Sequence, residues 1–203
     1  MAGDPLFFAW IDLETTGLDK YDDPIIEIGL VVTRVAPPCD EVDSYTAVAL
    51  PADPHWTDRM NTYVLDMHTR NGLIADIERE GRPLQDIEHE ILSVFMRHGR
   101  AHNFMLAGSA VGHFDRVFIA EQMPKLNKWL QPPCLDVGVL RRALKFSGRR
   151  DLEAYGETFQ DGGKPHRGLA DVRDHLNEYR QYTSIIQSIP GEGSHDEASQ
   201  DQA

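Results

Sequence analysis

Two carboxylates, Asp12 and Glu14, stand two residues apart in the otherwise apolar run FAWIDLE. Alternate residues of a β-strand face the same side, so both side chains would project together. Two unpaired acids at this distance repel each other, and one tends to keep its proton. A divalent cation removes the repulsion, and hard oxygen ligands favour Mg²⁺ or Mn²⁺. The alternative is a polar strand end that faces water.

Two later segments carry further acids and a histidine. Asp115 follows the short apolar run FMLAG and opens an apolar helix, where a first-turn carboxylate also serves as a helix cap. In KPHRGLADVRDHLNEY, Asp171 falls near the start of a helix and His166 precedes it. Five residues apart on one helix, the two would face different sides. With His166 in the lead-in loop, both can reach one cleft, although a lone loop histidine is ordinarily a surface residue.

The elements that must position these residues follow from hydrophobic periodicity and turn residues. Three strands form an antiparallel meander, and helices then alternate with two short strands. This order predicts an α/β fold with a mixed sheet. The predicted strands are 6–13, 25–35, 42–50, 104–108 and 134–137, and the predicted helices are 57–68, 83–98, 114–123, 137–147 and 169–187.

Length and composition indicate one globular domain, 1–188, followed by an acidic tail, 189–203, which we expect to be disordered. The net charge is −13, so the protein is unlike those that bind long nucleic acid through many Lys and Arg side chains. A polyanionic partner must therefore be small, or be held by metal ions and a local basic patch. The N-terminus lacks the basic segment of a signal peptide, no apolar run spans a membrane, and the two cysteines lack metal-ligand spacing. These features favour a cytoplasmic protein with no membrane partner.

The ordered set DLETTG, GHFD and HRGLAD resembles the three motifs of the DEDDh family, 3′→5′ exonucleases with a ribonuclease H-like fold. The resemblance extends from residue 6 to about 187. Within the family, FAWIDLETTGLD, WTDRMNTYVLDMHTRNGLI and CLDVGVL are most similar to the oligoribonucleases. The resemblance implies a mixed five-stranded sheet flanked by helices. The histidine at 166 disfavours the family variant that has a tyrosine there.

The resemblance also implies a mechanism. Asp12, Glu14, Asp115 and Asp171 would hold two divalent cations, Mg²⁺ or Mn²⁺, with Asp12 bridging both. Glu14 and Asp171 would complete one site and Asp115 would serve the other. His166 would be the general base for the attacking water. The products would be nucleoside 5′-monophosphates from short single-stranded RNA, with DNA left open, and the enzyme would be a homodimer.

Substrate contacts are expected at Leu18, which would wedge between bases, at Trp56, which would stack on one, and at His68. Simple core packing is the alternative for Trp56. The positions where the resemblance places the 5′-phosphate cap of oligoribonucleases hold Ser109-Ala110, His113 and Pro132-Pro133. Ala110 lacks the usual hydroxyl and Pro133 lacks the usual guanidinium, whereas Ser109 and His113 are still expected to contact the substrate. We therefore do not expect strict dinucleotide preference.

Three alternatives stay open at this point. They are a broader single-strand exonuclease, a non-catalytic nucleic-acid-binding relative, and a small-molecule phosphoesterase on an unrelated fold.

Overall fold

A computed structural model describes residues 5–148 and 166–188. Five strands form one sheet in the order β3-β2-β1-β4-β5. The β1–β2 and β2–β3 pairs are antiparallel, whereas β4 lies parallel to both β1 and β5. The mixed ribonuclease H-like sheet expected from the sequence is thus confirmed. The strands are β1 (Phe7–Thr15), β2 (Ile25–Arg34), β3 (Glu41–Val48), β4 (Phe104–Gly108) and β5 (Leu130–Asp136).

Helices cover both faces of the sheet. A short 3₁₀ helix, Trp56–Arg59, precedes the α-helices. These are α1 (Thr62–Arg70), α2 (Leu73–Glu80), α3 (Leu84–His98), α4 (Asp115–Gln122), α5 (Pro124–Trp129), α6 (Val137–Lys145) and α7 (Gly168–Ser188). None of the helices in the described part of the chain is long and apolar enough to cross a membrane.

The central strand β1 is buried on both sides, which explains its continuous apolar run. Ala9 and Ile11 join the core cluster that holds residues of α3, α4 and α5. Phe8 and Trp10 join a second cluster with Val172 and Leu176 of α7, among others. Because side chains alternate along a strand, Asp12 and Glu14 continue the Phe8–Trp10 side, toward α7.

Helix α7 starts in direct backbone contact with the sheet. A Cβ atom at Gly29 of β2 would overlap the backbone of Gly168 and Leu169. In the reverse direction, a Cβ atom at Gly168 would lie 2.8 Å from the Gly29 nitrogen and 3.2 Å from the Asp12 carbonyl oxygen. Two glycines therefore let the first turn of α7 seat on β1 and β2.

Several elements differ from the prediction. The helix expected at 57–68 is broken, because Met60 is extended and the Asn61 side chain caps α1 by accepting from the Val64 amide. Strand β5 begins at Leu130 rather than 134, and it accommodates two prolines because it is an edge strand. Helices α2 and α5 were not predicted.

The domain boundary falls partly outside the described residues. The predicted domain 1–188 includes both described ranges, and the acidic segment 189–203 lies outside them. The stretch 125–133 contributes Leu126 and Leu130 to the main core.

Candidate active site

Four carboxylates from three elements meet at one cavity. Asp12 and Glu14 lie near the end of β1, Asp115 opens α4, and Asp171 lies in the first turn of α7. All four line a pocket of about 260 Å³, together with His166. The structure therefore brings together the five residues that the sequence motifs singled out.

Backbone contacts fix the acids relative to one another. The Leu13 amide, between the two β1 carboxylates, donates to Asp115 Oδ1 at 3.0 Å and joins α4 to β1. The Asp171 Oδ2 atom accepts from the Arg167 amide at 3.1 Å, which closes the first turn of α7. Potential ligand atoms of Glu14, His166 and Asp171 all lie within 4.8 Å of one another.

Burial favours the protonated forms of Asp12, Glu14 and Asp115 in the absence of a cation. Burial, and then the Asp115 and Glu14 charges, hold the pKa of Asp12 well above its ordinary value. Burial, followed by the facing Glu27, raises the pKa of Glu14 to about 9. Burial also raises the pKa of Asp115 to about 7. A divalent cation would offset these effects, because it favours the charged form of every acid near it.

His166 is held by a set of contacts that we call the Arg167 clamp, formed by Glu27, Asn71, Asp76 and Arg167. The His166 carbonyl accepts from the Asn71 side-chain amide at 2.8 Å. The next residue, Arg167, contacts Glu27 at 3.1 Å and Asp76 at 2.9 Å. Glu27 is 3% exposed and also accepts from the Gly168 amide at 3.1 Å. His166 itself has a φ of +46°, a left-handed conformation that a non-glycine residue keeps only when its surroundings impose it.

A larger groove of about 700 Å³ adjoins the acidic pocket and shares Leu13, Glu14 and Phe114 with it. Leu18 and Tyr63 line this groove, and they are 86% and 69% exposed. His68 lies deeper, with Nε2 at 3.4 Å from the Thr15 carbonyl oxygen and 3.8 Å from Glu14 Oε2. Burial lowers the pKa of His68, which favours its neutral form.

The other predicted substrate contacts have different placements. Ser109 lines the acidic pocket. His113 is exposed in the β4–α4 loop and is not among the described residues that line either cavity. Trp56 is 6% exposed and packs in a core cluster with Ile26, Met60 and others, and it also lines a separate pocket of about 610 Å³.

Sequence reasoning missed Tyr63 and the Arg167 clamp. Tyr63 and Met67 share a helix face at i, i+4 spacing, which the misplaced helix start at 57 obscured. The clamp joins residues from four separate segments, and no local pattern indicates it.

Comparison with known proteins places this geometry among nucleases. The model of a family described as Exonuclease (RNase_T) matches residues 9–179. The oligoribonuclease of Cutibacterium acnes is 30% identical over 91% of this chain and 87% of its own length. That of Leifsonia xyli subsp. xyli is 33% identical over 85% of this chain and 80% of its own.

Among solved structures, zinc-bound Escherichia coli exonuclease I in complex with single-stranded DNA superposes with a TM-score of 0.63 at 14% identity. The same enzyme in complex with a dA16 oligonucleotide gives a TM-score of 0.62 at 16% identity. These matches cover 91% and 88% of this chain but only 42% and 41% of exonuclease I. They show a shared fold.

Proposed function

The chain belongs to the exonuclease family and is a 3′→5′ exonuclease, and on that premise we propose that it removes nucleoside 5′-monophosphates from short single-stranded oligonucleotides. RNA is the proposed first substrate, since the similar curated proteins are named oligoribonucleases. The observation that carries this proposal is the convergence of four carboxylates and His166 on one pocket beside an open groove.

The donor set fits two divalent cations. Asp12, Glu14, Asp115 and Asp171 offer only oxygen ligands, as Mg²⁺ and Mn²⁺ prefer, and burial raises the pKa of at least three of them. These four residues would hold the ions. When bound, the ions would lower the pKa of a water molecule and offset the negative charge that develops at the leaving oxygen.

His166 is proposed as the general base. Its ring lies within reach of Glu14 and Asp171, at the edge of the pocket where a water molecule would approach the phosphate. An imidazole accepts a proton efficiently near neutral pH. The Arg167 clamp would keep the His166 backbone in the one conformation that directs the ring to this position.

Leu18 and Tyr63 are the proposed base contacts. Both are exposed large side chains on the wall of the groove, and stacking of a base on an aromatic ring contributes about 1–3 kcal/mol. Such contacts are independent of sequence, which suits an enzyme that degrades oligonucleotides in general. Tyr63 takes the role that the sequence had suggested for Trp56.

A broader single-strand exonuclease is the second candidate. It is favoured by the exposed Pro132 and Pro133, which cannot donate hydrogen bonds to a 5′-phosphate, and by the absence of His113 from the described lining of both cavities. Without a strict cap, longer strands would be accepted.

End-labelled RNA and DNA ladders of two to twelve nucleotides, incubated with Mn²⁺, test the proposal. We expect one-nucleotide steps from the 3′ end, faster on RNA, and a loss of about 10²- to 10³-fold for Asp12→Asn. Asp86→Asn, an exposed first-turn acid of α3, is the matched control and keeps full activity. Inactivity of the wild type on every ladder would refute the proposal and favour a non-catalytic relative. Equal rates at all lengths would select the broader exonuclease.

A further inference from the structure

The exposed Leu18 side chain projects from the connection between β1 and β2, residues 16–24, which we call the Leu18 loop. Leu18 lines the groove beside the acidic pocket, where it is a proposed base contact. An exposed loop of mostly small and charged residues gains little stability from apolar packing, so hydrogen bonds decide its conformation. The position of Leu18 relative to a base therefore depends on what these hydrogen bonds join.

Asp23 folds the Leu18 loop back on itself. Its carboxylate accepts from the Asp19 amide at 2.9 Å and from the Thr16 hydroxyl at 3.2 Å. The amides of Asp22 and Asp23 both donate to the Asp19 carbonyl. A Cβ atom at Gly17 would lie 2.3 Å from Asp23 Oδ2, so the glycine leaves room for this carboxylate. These contacts fix the shape of the loop but not its position beside the groove.

Gln122, the last residue of α4, fixes that position. Its side-chain nitrogen donates to the carbonyl oxygens of Lys20 at 2.9 Å and Asp23 at 2.8 Å. Its side-chain oxygen accepts from the amide of Ile25, the first residue of β2, at 3.0 Å. A primary amide has two N–H donors and one acceptor oxygen. One side chain thus uses both donors and its oxygen to hold the loop and the strand that follows it.

Helix α4 links this anchor to the acidic pocket. Asp115, a proposed metal ligand, is the first residue of α4, and Gln122 is the last. Seven residues apart, the two lie on one face of the helix, about 10 Å from each other along its axis. The distance between Leu18 and the acids is therefore set by a helix rather than by the loop alone.

We propose, on the basis of the function above, that Gln122 is a positioning residue that holds Leu18 in place for the substrate base. A loop that is already ordered loses little conformational entropy when a base packs on it, whereas a released loop must be ordered during binding. Gln122 would therefore act on substrate binding rather than on the chemical step, and it would act through Leu18.

A double-mutant cycle between Gln122 and Leu18 tests the proposal. Gln122→Glu still accepts from the Ile25 amide but donates to neither loop carbonyl. With a short RNA oligonucleotide and Mn²⁺, we expect Gln122→Glu to raise KM about 5-fold or more and to leave kcat within about twofold. In a Leu18→Ala background, which itself raises KM, the same substitution should change KM by less than about twofold. Glu121→Gln, an exposed neighbour on α4, is the control and keeps the wild-type KM.

Gln122→Met is a second variant with the same expected outcome, because it removes all three hydrogen bonds and keeps the length of the side chain. Wild-type KM in both Gln122 variants, folded by circular dichroism, would overturn the positioning role. An equal rise in KM with and without Leu18 would also overturn it, since Gln122 would then act independently of Leu18. So would a fall in kcat that persists in the Leu18→Ala background, which would point to a displaced α4 and Asp115.

Two other results separate this proposal from those on which it rests. A Leu18→Ala variant with the wild-type KM would remove the base contact, and with it the role of Gln122, while the exonuclease activity would stand. A wild type that cleaves no oligonucleotide would refute the proposed function itself.

Discussion

Replacing Glu14 by glutamine should make the free energy of unfolding of the metal-free protein depend less on pH. The pKa of Glu14 is about 9 in the folded protein against an ordinary value of 4.5, so the unfolded chain releases this proton first. The contribution of protonated Glu14 to the free energy of unfolding is therefore fully present below pH 4.5 and is lost as the pH rises toward 9. The substitution Glu14→Gln removes this titration and keeps the shape of the side chain.

The magnitude follows from the width of this pH window. Each pH unit inside it costs about 1.36 kcal/mol of unfolding free energy, so the cost between pH 5 and pH 8 is at most about 4 kcal/mol. Since Glu14 is mostly protonated at pH 5 in the folded state, wild type and variant should differ little there. At pH 8 the variant should be the more stable by up to this amount.

Urea unfolding in EDTA at pH 5, 6, 7 and 8 measures the difference. Glu78→Gln, an exposed glutamate of α2, is the control and should follow the wild-type profile. Saturating Mn²⁺, at about 100 times its Kd, should then add about 2.7 kcal/mol to the wild type at pH 8 and less to Glu14→Gln. Parallel pH profiles for wild type and variant would refute the placement of Glu14 among buried like charges.

Three further substitutions separate positioning, binding and packing. Tyr63→Ala should raise KM about 5- to 100-fold for oligonucleotides and leave the unfolding free energy within about 0.5 kcal/mol, because the ring is exposed beside the groove. Trp56→Ala should do the reverse, costing about 3–5 kcal/mol of stability through the cavity that it leaves, with near-normal activity in the folded fraction. Arg167→Met should lower kcat about 10- to 100-fold with little change in KM. The substitution removes the ion pairs that fix the chain next to His166, and it does not alter the groove that Leu18 and Tyr63 line.

Each of these has a measurement that would contradict it. Steady-state kinetics beside chemical denaturation would reverse the first two assignments if Trp56→Ala raised KM and Tyr63→Ala destabilised the fold. Arg173→Met, which removes an exposed arginine of α7 from its ion pair with Glu41, is the control for Arg167→Met. Equal kcat values for the two methionine variants would show that the Arg167 clamp does not position His166 for catalysis.

Local rules place the four acids of the pocket, and the resemblance of their ordered motifs to the DEDDh family singled them out. Strand alternation places Asp12 and Glu14 on one face of β1. Asp115 and Asp171 each lie in the first turn of a helix, α4 and α7 respectively. The central part of the sheet also followed from short-range patterns, since β1 and β2 are apolar runs bounded by turn residues, whereas β5, with its two prolines, was only partly predicted. Side-chain type and spacing predict the elements that carry these residues, whereas their assignment to one site came from the family resemblance.

The residues that surround the acids were harder to predict from the sequence. Trp56 and Tyr63 are both aromatic residues in one short segment, and which of them is buried depends on the break at Met60 and Asn61. The Arg167 clamp depends on β2, α2 and the α1–α2 connection meeting at one point, a tertiary fact without a periodic signature. The ion pair between Arg141, which lines the acidic pocket, and Glu178 also has no local signal, because the two residues are 37 positions apart in the sequence.

The contact between Gly29 and Gly168 implies that two residues without any functional group set the activity of this enzyme. A methyl group at either position would push α7 outward and carry Asp171 away from the other acids, although neither glycine lies on the pocket wall. In a saturation-mutagenesis experiment scored by turnover, positions 29 and 168 would therefore be as intolerant as the acids themselves. Positions scored as sensitive in such an experiment would therefore include the contact between β2 and the start of α7 as well as the acidic pocket.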